Sequence, residues 1–399
     1  MRTRILDIRG VAADAAHEMI REAAAALRRG GLVAFPTETV YGIGAIAFDE
    51  GAVRRVYAAK GRPSDNPMIV HIARASDIAL LSNTLSPAVV KLADAFWPGP
   101  LTMVLEKRDE VPRCVTGGLG TVGVRLPDSP AATGLIRLAG APVAAPSANL
   151  SGRPSPTKAE HVIRDLDGKV DVILAGEDCR VGIESTVVDM TVSPPMILRP
   201  GVVTQDALEA VLDMPVKLHP GLRANAGRSC ALPPAAGKTE GDGSCVLSPA
   251  AGKTEGDGSC ALPPAAGKTE GDGSCVLLPA ADDGAAKGGG AAPRSPGMKY
   301  RHYAPRAQML VVEGAREKVR AEINRLKAMN EALGLRVGIV LFEERGYLEA
   351  AHDFYAELRA LDDTGTDLII AGALPETDGV GFAVMNRMMR AAGFNIVRV

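Results

Sequence analysis

The fold of the N-terminal part is set by one stretch, LVAFPTETVYGIG at residues 32–44. Its apolar start, Leu32–Phe35, predicts a buried β-strand. Proline, hydroxyl residues and two glycines follow, which predicts that the strand ends in a polar loop. Binding groups often lie on loops that a rigid strand positions, although an ordinary proline- and glycine-rich strand exit has the same composition. The junction is therefore a candidate functional site.

Apolar runs and amphipathic segments continue on both sides of that stretch and predict one α/β domain over residues 1–217. The predicted strands are Leu32–Phe35, Met68–Ile72, Leu101–Glu106, Val122–Arg125, Pro142–Ala145, Val172–Leu174 and Ser185–Asp189. The predicted helices are Asp14–Arg29, Gly51–Ala59, Pro87–Phe96, Pro130–Leu138, Lys158–Leu166 and Gln205–Leu212. Strands outnumber the helices that could connect parallel neighbours, so a mixed sheet is expected.

Residues 298–399 alternate regularly between strand and helix patterns. This order predicts a second, small domain with a parallel, doubly wound sheet. No Gly-x-Gly-x-x-Gly follows its first strand, so no dinucleotide site is expected there.

A repeat of fifteen residues fills the segment between the two domains. CALPPAAGKTEGDGS begins at Cys230 and returns in close copies at Cys245 and Cys260. Glycine, proline, alanine and serine dominate residues 218–297, which predicts a mostly disordered linker. Each copy contains Gly-Lys-Thr, but the glycine that a phosphate-binding loop needs five residues earlier is missing. The repeat is therefore not expected to bind a nucleotide.

Composition excludes several classes of protein. The 399 residues carry 45 Lys and Arg against 47 Asp and Glu, which disfavours a constitutive nucleic-acid or membrane-surface protein. No apolar stretch approaches the roughly 20 residues that span a bilayer, and the N-terminus lacks a signal-peptide pattern. We therefore expect a soluble, cytoplasmic protein. The six cysteines lack zinc-ligand spacing and are expected to be free thiols.

Four polar clusters accompany the apolar strands. Lys60 and Arg62 flank a glycine, which suits two cations that reach one polyphosphate but also a solvated helix end. His71 alternates with apolar neighbours and could equally be a core histidine. Arg125 lies inside an apolar strand and needs an anionic partner, either a substrate carboxylate or an internal acid. The serine-rich segment 145–152 could hold phosphate or ribose, or form a capped turn.

These clusters indicate a catalyst that positions an anionic, phosphate-bearing substrate. The sequence has no Gly-x-Ser-x-Gly, no histidine pair at metal spacing and no cysteine beside a histidine. Covalent catalysis and a metal held by protein alone are therefore not expected. Proximity and electrostatic stabilisation would supply most of the rate.

The order of the motifs carries a family resemblance. The series reads PTETVYG (36–42), KGRP (60–63), NP (66–67), His71, WPGPLT (97–102), GVRLP (123–127), PSANLSG (146–152), STVVD (185–189) and RPG (199–201). It resembles the YrdC-like threonylcarbamoyl-AMP synthases. SPGMKYRHYAP (295–305) resembles the linker motif of the long, two-domain form of that family.

The resemblance implies a fold and a reaction. The fold would be a twisted, mixed-sheet catalytic domain with a Rossmann-like C-terminal domain. As a nucleotidyltransferase, the protein would convert L-threonine, bicarbonate and ATP into L-threonylcarbamoyladenylate and pyrophosphate, with Mg²⁺ held mainly by the phosphates. The product would pass to a tRNA threonylcarbamoyl transferase complex that modifies tRNAs reading ANN codons.

The resemblance also implies which residues bind each substrate. Threonine would be held by Thr37, His71, Arg125, Ala145 and Ser185. ATP would be held by Lys60, Arg62, Asn66, Thr121, Ser147, Asn149, Ser155, Arg199, His302 and Tyr303. Lys60 and Arg62 would offset the phosphate charge, and no protein general base is expected.

Three alternatives remain open at this stage. The first is a double-stranded RNA- or tRNA-binding module, which the near-neutral charge disfavours. The second is a carbamoyl transferase of hydrogenase maturation, whose zinc-finger cysteine pairs are absent here. The third is a generic NTPase, which only the Gly-Lys-Thr repeats favour.

Overall fold

The computed structural model describes residues 2–83, 85–223, 245–247, 275–277, 293, 302–342, 345–374 and 379–399. Its strands build an eleven-stranded sheet in the N-terminal part (residues 2–223) and a four-stranded sheet in the C-terminal part (residues 302–399). A further two-stranded ladder lies between them along the sequence. The fold class is the α/β arrangement that the sequence predicts.

The predicted strands and helices of the N-terminal part lie close to their predicted positions, and four further strands, a short α-helix and a 3₁₀ helix join them. Its strands are β1 (Arg4–Asp7), β2 (Val33–Phe35), β3 (Gly42–Ile46), β4 (Ile69–His71), β5 (Leu101–Glu106), β6 (Thr121–Arg125), β7 (Val143–Ala144), β8 (Val172–Ala175), β9 (Thr186–Asp189), β10 (Met196–Arg199) and β11 (Lys217–Leu218). Its helices are α1 (Ala13–Arg28), α2 (Glu50–Lys60), α3 (Pro87–Phe96), α4 (Pro130–Ala139), α5 (Ala159–Leu166), α6 (Gln205–Leu212) and α7 (Pro220–Arg223), with a 3₁₀ helix at Ala75–Leu80.

The large sheet is mixed, which confirms the prediction. Its order is β1-β8-β2-β3-β7-β4-β6-β5-β9-β10-β11. The β4 and β6 strands run parallel, whereas β7 is antiparallel to both β3 and β4. Side chains of β2 alternate between two cores, with Ala34 in one and Val33 and Phe35 in the other. Both faces of β2 are therefore buried, so polar binding groups near this strand lie beyond its ends.

The segment after Phe35 is a hairpin rather than a simple strand exit. Strand β3 returns antiparallel to β2, with Phe35 paired to Gly42. A Cβ at Gly44 would lie 2.4 Å from Cγ1 of Val143 and 2.9 Å from Cε1 of Phe35. Gly44, one of the glycines that made this segment look like a loop, is required because neighbouring side chains approach the strand too closely for a Cβ.

The C-terminal part has the predicted parallel sheet. Its elements are β14 (Gln308–Glu313), α8 (Arg316–Ala332), β15 (Val337–Val340), α9 (Tyr347–Asp363), β16 (Leu368–Gly372), α10 (Val380–Ala391) and β17 (Ile396–Arg398). The order is β15-β16-β14-β17, and every pairing is parallel. Helices α9 and α10 pack on the face that carries Val311, and α8 packs on the face that carries Leu310. The sheet is covered on both sides, as a doubly wound arrangement requires.

Most of the predicted linker lies outside the described residues. Within 218–297 the structure describes the end of β11, helix α7, Pro293 and two short strands, β12 (Cys245–Leu247) and β13 (Cys275–Leu277). The two strands pair in parallel with Cys245 opposite Cys275. Leu222 of α7 packs into the main core, so ordered structure continues past residue 217. The domain limits 1–217, 218–297 and 298–399 stay a prediction.

Candidate active site

One cavity lies where the ends of the large sheet meet the segment that enters the C-terminal part. It has a volume of about 580 Å³, counting its open mouth. The residues that line it include Thr37, Thr39, Arg62, His71, Arg125, Ala145, Ser147, Glu184, Arg199, His302 and Tyr303. Most of the predicted site residues therefore surround one space.

Strand register explains why the four predicted threonine ligands that line the cavity lie together. His71 and Arg125 are direct partners at the ends of parallel strands β4 and β6. The amide of Ala145, just past β7, donates to the carbonyl of Ile69, 2.9 Å away. Thr37 begins the loop of the β2–β3 hairpin and donates to the carbonyl of Val40 at 2.6 Å. The sheet thus fixes a cation, an imidazole, a hydroxyl and a backbone turn around one edge.

Arg125 has an internal acidic partner. Its Nη2 lies 2.7 Å from Oε1 of Glu38, and both side chains are at most 5% exposed. The two groups are in contact but are not aligned for a hydrogen bond, and both Glu38 oxygens lack one among the described residues. Arg125 Nε donates to the carbonyl of Gly99 at 3.3 Å. Of the two alternatives for Arg125, the internal acid is present, and the guanidinium also lines the cavity.

His71 is neutral in this environment. Burial, with a smaller contribution from the nearby Arg125, lowers the pKa of His71 to about 3. Its ring meets Phe35 edge-on at 6.3 Å between centroids. Nδ1 has no hydrogen-bond partner in the described part of the chain. His71 can therefore exchange hydrogen bonds with a ligand but does not carry charge near neutral pH.

Lys60 does not line the cavity, and its predicted contact with the phosphates stays a prediction. Its Nζ donates to the carbonyls of Ser147 and Asn149, and Oδ1 of Asn149 lies 3.3 Å away. Burial lowers the pKa of Lys60 well below its usual value, and the neighbouring Arg62 adds to the shift. Lys60 thus ties helix α2 to the loop after β7, while Arg62 alone lines the cavity.

The remaining predicted ATP ligands fall into two groups. Arg62 donates to the carbonyl of Pro67 at 2.9 Å, and burial lowers its pKa to about 10. Ser147 lines the cavity and donates to Oδ1 of Asn149 at 2.5 Å. Asn66 and Thr121 do not line this cavity: Asn66 is buried, and Thr121 lies on a neighbouring space beside Thr102.

Ser185 and Arg199 form a buried pair behind the cavity wall. Arg199 donates from Nε to the carbonyl of Ser185 at 3.1 Å and from Nη2 to its Oγ at 3.2 Å. Thr102 holds the same hydroxyl at 2.8 Å. Burial lowers the pKa of Arg199, which reflects how little water reaches the group. Arg199 lines the cavity, whereas Ser185 lies behind the wall and accepts two of its hydrogen bonds.

Sequence reasoning missed Glu184. Its carboxylate accepts hydrogen bonds from Ser155 at 2.6 Å, from Tyr355 at 3.0 and 3.1 Å and from Arg387 at 3.2 Å. Burial raises the pKa of Glu184, but Arg387 and Arg199 outweigh it, so the net pKa is lowered. An acid directly before the Ser-Thr-Val-Val-Asp motif was a visible signal. Its partners lie up to 203 residues away, which no local pattern reveals.

The segment that enters the C-terminal part closes one side of the cavity. His302 and Tyr303 line it, and the amide of Ala304 donates to the carbonyl of Gly152 at 2.8 Å. Tyr303 has a φ of 68°, a left-handed backbone that tyrosine rarely adopts. Its ring lies 5.5 Å from that of Tyr355. Burial lowers the pKa of His302 to about 3, with a smaller contribution from Arg62.

Among the described residues there is neither a candidate metal-binding group nor a membrane-spanning helix. No group of three or more His, Cys, Asp or Glu side chains there could hold a metal ion. No helix in the described ranges is long and apolar enough to cross a membrane.

Known proteins define the class to which this fold and site belong. Residues 25–201 match a family described as "Telomere recombination", and residues 274–393 match "Threonylcarbamoyl-AMP synthase, C-terminal domain". The threonylcarbamoyl-AMP synthase of Pyrococcus abyssi is 41% identical over 95% of this chain and 96% of its own length. The synthase of Bacillus subtilis is 40% identical over 95% and 94%.

A solved structure supports the same family. The crystal structure of P. abyssi Sua5 complexed with L-threonine superposes with a TM-score of 0.79, 38% identity and full coverage of both chains. The class is thus a two-domain protein with a mixed-sheet N-terminal part. The chain belongs to the threonylcarbamoyl-AMP synthase family.

Proposed function

We propose that the cavity joins L-threonine, bicarbonate and ATP into L-threonylcarbamoyladenylate, with release of pyrophosphate. One observation carries the proposal: four predicted threonine ligands line one cavity in a chain that aligns fully with a relative solved with L-threonine. The chain is thus an ATP-using nucleotidyltransferase. The net charge of −2 gives no support to the alternative of an RNA-binding module.

Arg125 is proposed to hold the threonine carboxylate. Its guanidinium faces the cavity while Glu38 contacts it at Nη2. A planar guanidinium offers five N–H groups, so one carboxylate partner leaves others available for a second. Thr37 and neutral His71 would supply hydrogen bonds to the hydroxyl and amine, and Ser185, behind the cavity wall, would act through Arg199. The backbone at Ala145 would close this side.

The ATP side is proposed to use Arg62, Arg199 and Ser147 directly. Lys60 and Asn149 would act from behind by fixing the loop that carries Ser147. Thr121 would contribute through the neighbouring space. Asn66 and Ser155 remain predicted ATP ligands outside the lining of the cavity, and Glu184 would hold the hydroxyl of Ser155. Mg²⁺ would enter with ATP, held by its phosphates. The carboxylate of Glu184 already accepts from three side chains, which leaves it poorly placed to bind a metal.

The proposed chemistry needs positioning rather than a general base. The threonine amine and bicarbonate give a carbamate and water. A carbamate oxygen then attacks the α-phosphorus, and the bond to pyrophosphate breaks. The attacking group is already an anion, so no proton need be removed from it at that step. Cations fixed in a water-poor cavity offset charge on the phosphates.

His302 and Tyr303 are proposed to cover the ATP side. This chain has a single His-Tyr dipeptide, and it lines the cavity. The P. abyssi relative was also solved as a variant with a neighbouring histidine and tyrosine both replaced by alanine. A cover of this kind would keep water from the labile acyl-adenylate.

The chemistry of the product indicates which class of enzyme uses it next. A mixed anhydride of a carbamate and AMP is a reactive acyl donor, so an enzyme that transfers the threonylcarbamoyl group to tRNA is the proposed partner. The tRNAs would be those that read ANN codons. We place the reaction in the cytoplasm, and any direct tRNA contact by this chain would be weak.

Pyrophosphate release tests the proposal. The purified chain is given ATP and Mg²⁺ with and without threonine and bicarbonate, and the nucleotide product is weighed by mass spectrometry. Release that needs both substrates, together with the mass of threonylcarbamoyladenylate, is the expected result. Release that is indifferent to threonine would refute the proposal.

A further inference from the structure

Arg387 belongs to helix α10 of the C-terminal part, but most of its hydrogen bonds reach the N-terminal part. It is fully buried. Nε donates to Oε2 of Glu184 at 3.2 Å, Nη2 to the backbone carbonyl of Glu184 at 3.3 Å, and Nη1 to the carbonyl of Pro200. Only one bond, to the carbonyl of Ala383 at 3.2 Å, stays within its own helix.

Tyr355 of helix α9 reaches the same carboxylate. Its hydroxyl lies 3.0 Å from Oε1 and 3.1 Å from Oε2 of Glu184. Its ring is fully buried and packs against Tyr303, which lines the cavity. Two side chains from different helices of the C-terminal part therefore converge on one acid in the cavity wall.

The two groups that Arg387 and Tyr355 hold, the carboxylate of Glu184 and the carbonyl of Pro200, are each next to a residue assigned to ATP. The carboxylate of Glu184 fixes the hydroxyl of Ser155 at 2.6 Å. Pro200 directly follows Arg199 in the chain. Ser155 and Arg199 are both assigned to ATP in the proposed function. The threonine-side residues Thr37, His71 and Arg125 make no described hydrogen bond to Arg387 or Tyr355. Ser185 makes none to them either, although Arg199 donates to its hydroxyl at 3.2 Å.

Stability alone is a weak reason for this arrangement. Burying an ion pair costs desolvation free energy that its mutual attraction often only balances. Its hydrogen bonds impose direction, however, and a buried, satisfied network holds its members in one geometry. The contact surface is also tight: a Cβ at Gly182, two residues before Glu184, would lie 2.3 Å from Cα of His352.

We propose that Arg387 and Tyr355 are positioning residues for the ATP side of the active site. They fix the carboxylate of Glu184 and the carbonyl of Pro200, and thereby the hydroxyl of Ser155 and the direction of Arg199. The proposal rests on the proposed function, because it takes Ser155 and Arg199 as ATP ligands. It assigns the C-terminal part a role in substrate binding rather than in bond making.

A shorter relative is consistent with a positioning role for the C-terminal part. A threonylcarbamoyl-AMP synthase of Cellvibrio japonicus is 34% identical over 39% of this chain, yet that match spans 83% of its own length. A protein that lacks most of the C-terminal part can thus bear the same name. The C-terminal part of the present chain then acts on geometry that shorter relatives must obtain in another way.

The test is to measure ATP and threonine binding separately by titration calorimetry on the full chain with Mg²⁺. Tyr355→Phe removes the hydroxyl and keeps the ring, and should raise the Kd for ATP about fivefold. Arg387→Gln should raise it at least about tenfold, and Arg387→Lys should fall between. The Kd for threonine should change by less than about twofold in each variant.

Arg164→Gln is the matched control. Arg164 forms an exposed ion pair with Asp363 across the same two parts of the chain but touches neither Glu184 nor Pro200. It should bind ATP like the parent chain. Equal loss of ATP affinity in Arg164→Gln and Arg387→Gln would overturn the proposal, since any weakened contact between the parts would then suffice.

The test can still be decided if one variant does not fold. If Arg387→Gln fails to fold, Tyr355→Phe decides: ATP affinity within about twofold of the parent would overturn the proposal. Failure of the proposed function has a different signature, because the parent chain would then bind ATP without forming threonylcarbamoyladenylate.

Discussion

At the scale of single residues, Arg125 and Glu38 form a buried ion pair, so a substitution of either residue leaves the charge of the other without its partner. Both side chains are buried, and the guanidinium nitrogen lies 2.7 Å from the carboxylate oxygen. The sequence predicted that Arg125 needs an anion, because an arginine inside an apolar strand is costly without one. It did not identify Glu38, since that contact depends on the path of the β2–β3 loop.

Replacing Arg125 should therefore affect stability and binding in different ways. Arg125→Gln leaves a buried carboxylate without its cation and should lower the free energy of unfolding by about 3–5 kcal/mol. Arg125→Gln with Glu38→Gln removes both charges and should recover most of that loss. Both chains should bind threonine about a hundredfold more weakly, while ATP binding changes little. Urea unfolding and calorimetry measure the two effects.

The double variant provides the decisive comparison, because it is expected to fold. If it binds threonine as tightly as the parent chain, Arg125 does not hold the substrate carboxylate. Glu38→Gln alone is the control for the acid, and it should retain threonine binding.

Two buried histidines, His71 and His161, and the half-buried His302 make stability depend on pH. Burial lowers the pKa of His71 and His302 to about 3 and that of His161 to about 4. The unfolded chain, with histidine pKa values near 6.5, then binds more protons below that pH. The free energy of unfolding should therefore be highest above pH 6.5 and fall as the pH is lowered toward 4.

His161→Gln isolates one of these contributions away from the cavity. Nδ1 of His161 accepts from the amide of Thr157 at 3.3 Å, and a glutamine oxygen can replace that acceptor. Between pH 6.5 and 5 the free energy of unfolding of the variant should fall less steeply than that of the parent chain, by up to about 1.4 kcal/mol per pH unit. An unchanged slope in denaturant titrations at several pH values would contradict the assignment.

At the scale of elements, local patterns located the strands but not the loops that build the site. The bounds of β5, α3 and α6 agree with the prediction because apolar period and helix signals are local. Strands β1, β3, β10 and β11 were missed. Each is short, glycine-bearing or charged, and becomes a strand only through its partners. The placement of Lys60 behind the cavity likewise depends on where the loop after β7 turns.

The repeat between the two parts is expected to be dispensable. Deletion of Cys230–Ser274 more than halves the segment between Arg223 and His302 and also removes β12. None of the described cavity residues lies in that segment. Tether length changes closure free energy by only about 0.6 kcal/mol per doubling, so activity should change less than about fourfold. Deletion of Cys245–Ser259 alone should have a smaller effect, and a tenfold loss in either chain would contradict this expectation.

At the scale of the whole molecule, buried polar contacts join the two parts. Arg359 of α9 donates to both carboxylate oxygens of Asp165 in α5, at 2.8 and 3.3 Å. It also donates to the carbonyl of Pro154 at 2.6 Å. Burial raises the pKa of Asp165, but Arg359 outweighs it and the net pKa is lowered. The order of sequence motifs could not predict these contacts, because they join residues nearly two hundred positions apart.

Arg359→Met should destabilise the whole chain by about 3–5 kcal/mol, because it leaves the carboxylate of Asp165 buried without a cation. Arg359→Met with Asp165→Asn should recover part of that loss. Guanidinium unfolding followed by circular dichroism measures the cycle. Equal stability of the two variants would show that Asp165 does not depend on Arg359.

The pairing of β1 with β8 has a consequence for how the chain is made. Arg4–Asp7 lies parallel to Val172–Ala175, so the first strand has no partner until the ribosome has added more than 160 further residues. At 5–20 residues per second, that interval lasts roughly 10–30 s. The newborn strand spans only four residues and carries a charge at each end, Arg4 and Asp7. Short length and terminal charge discourage pairing with another nascent chain, which protects the product of synthesis before its sheet can close.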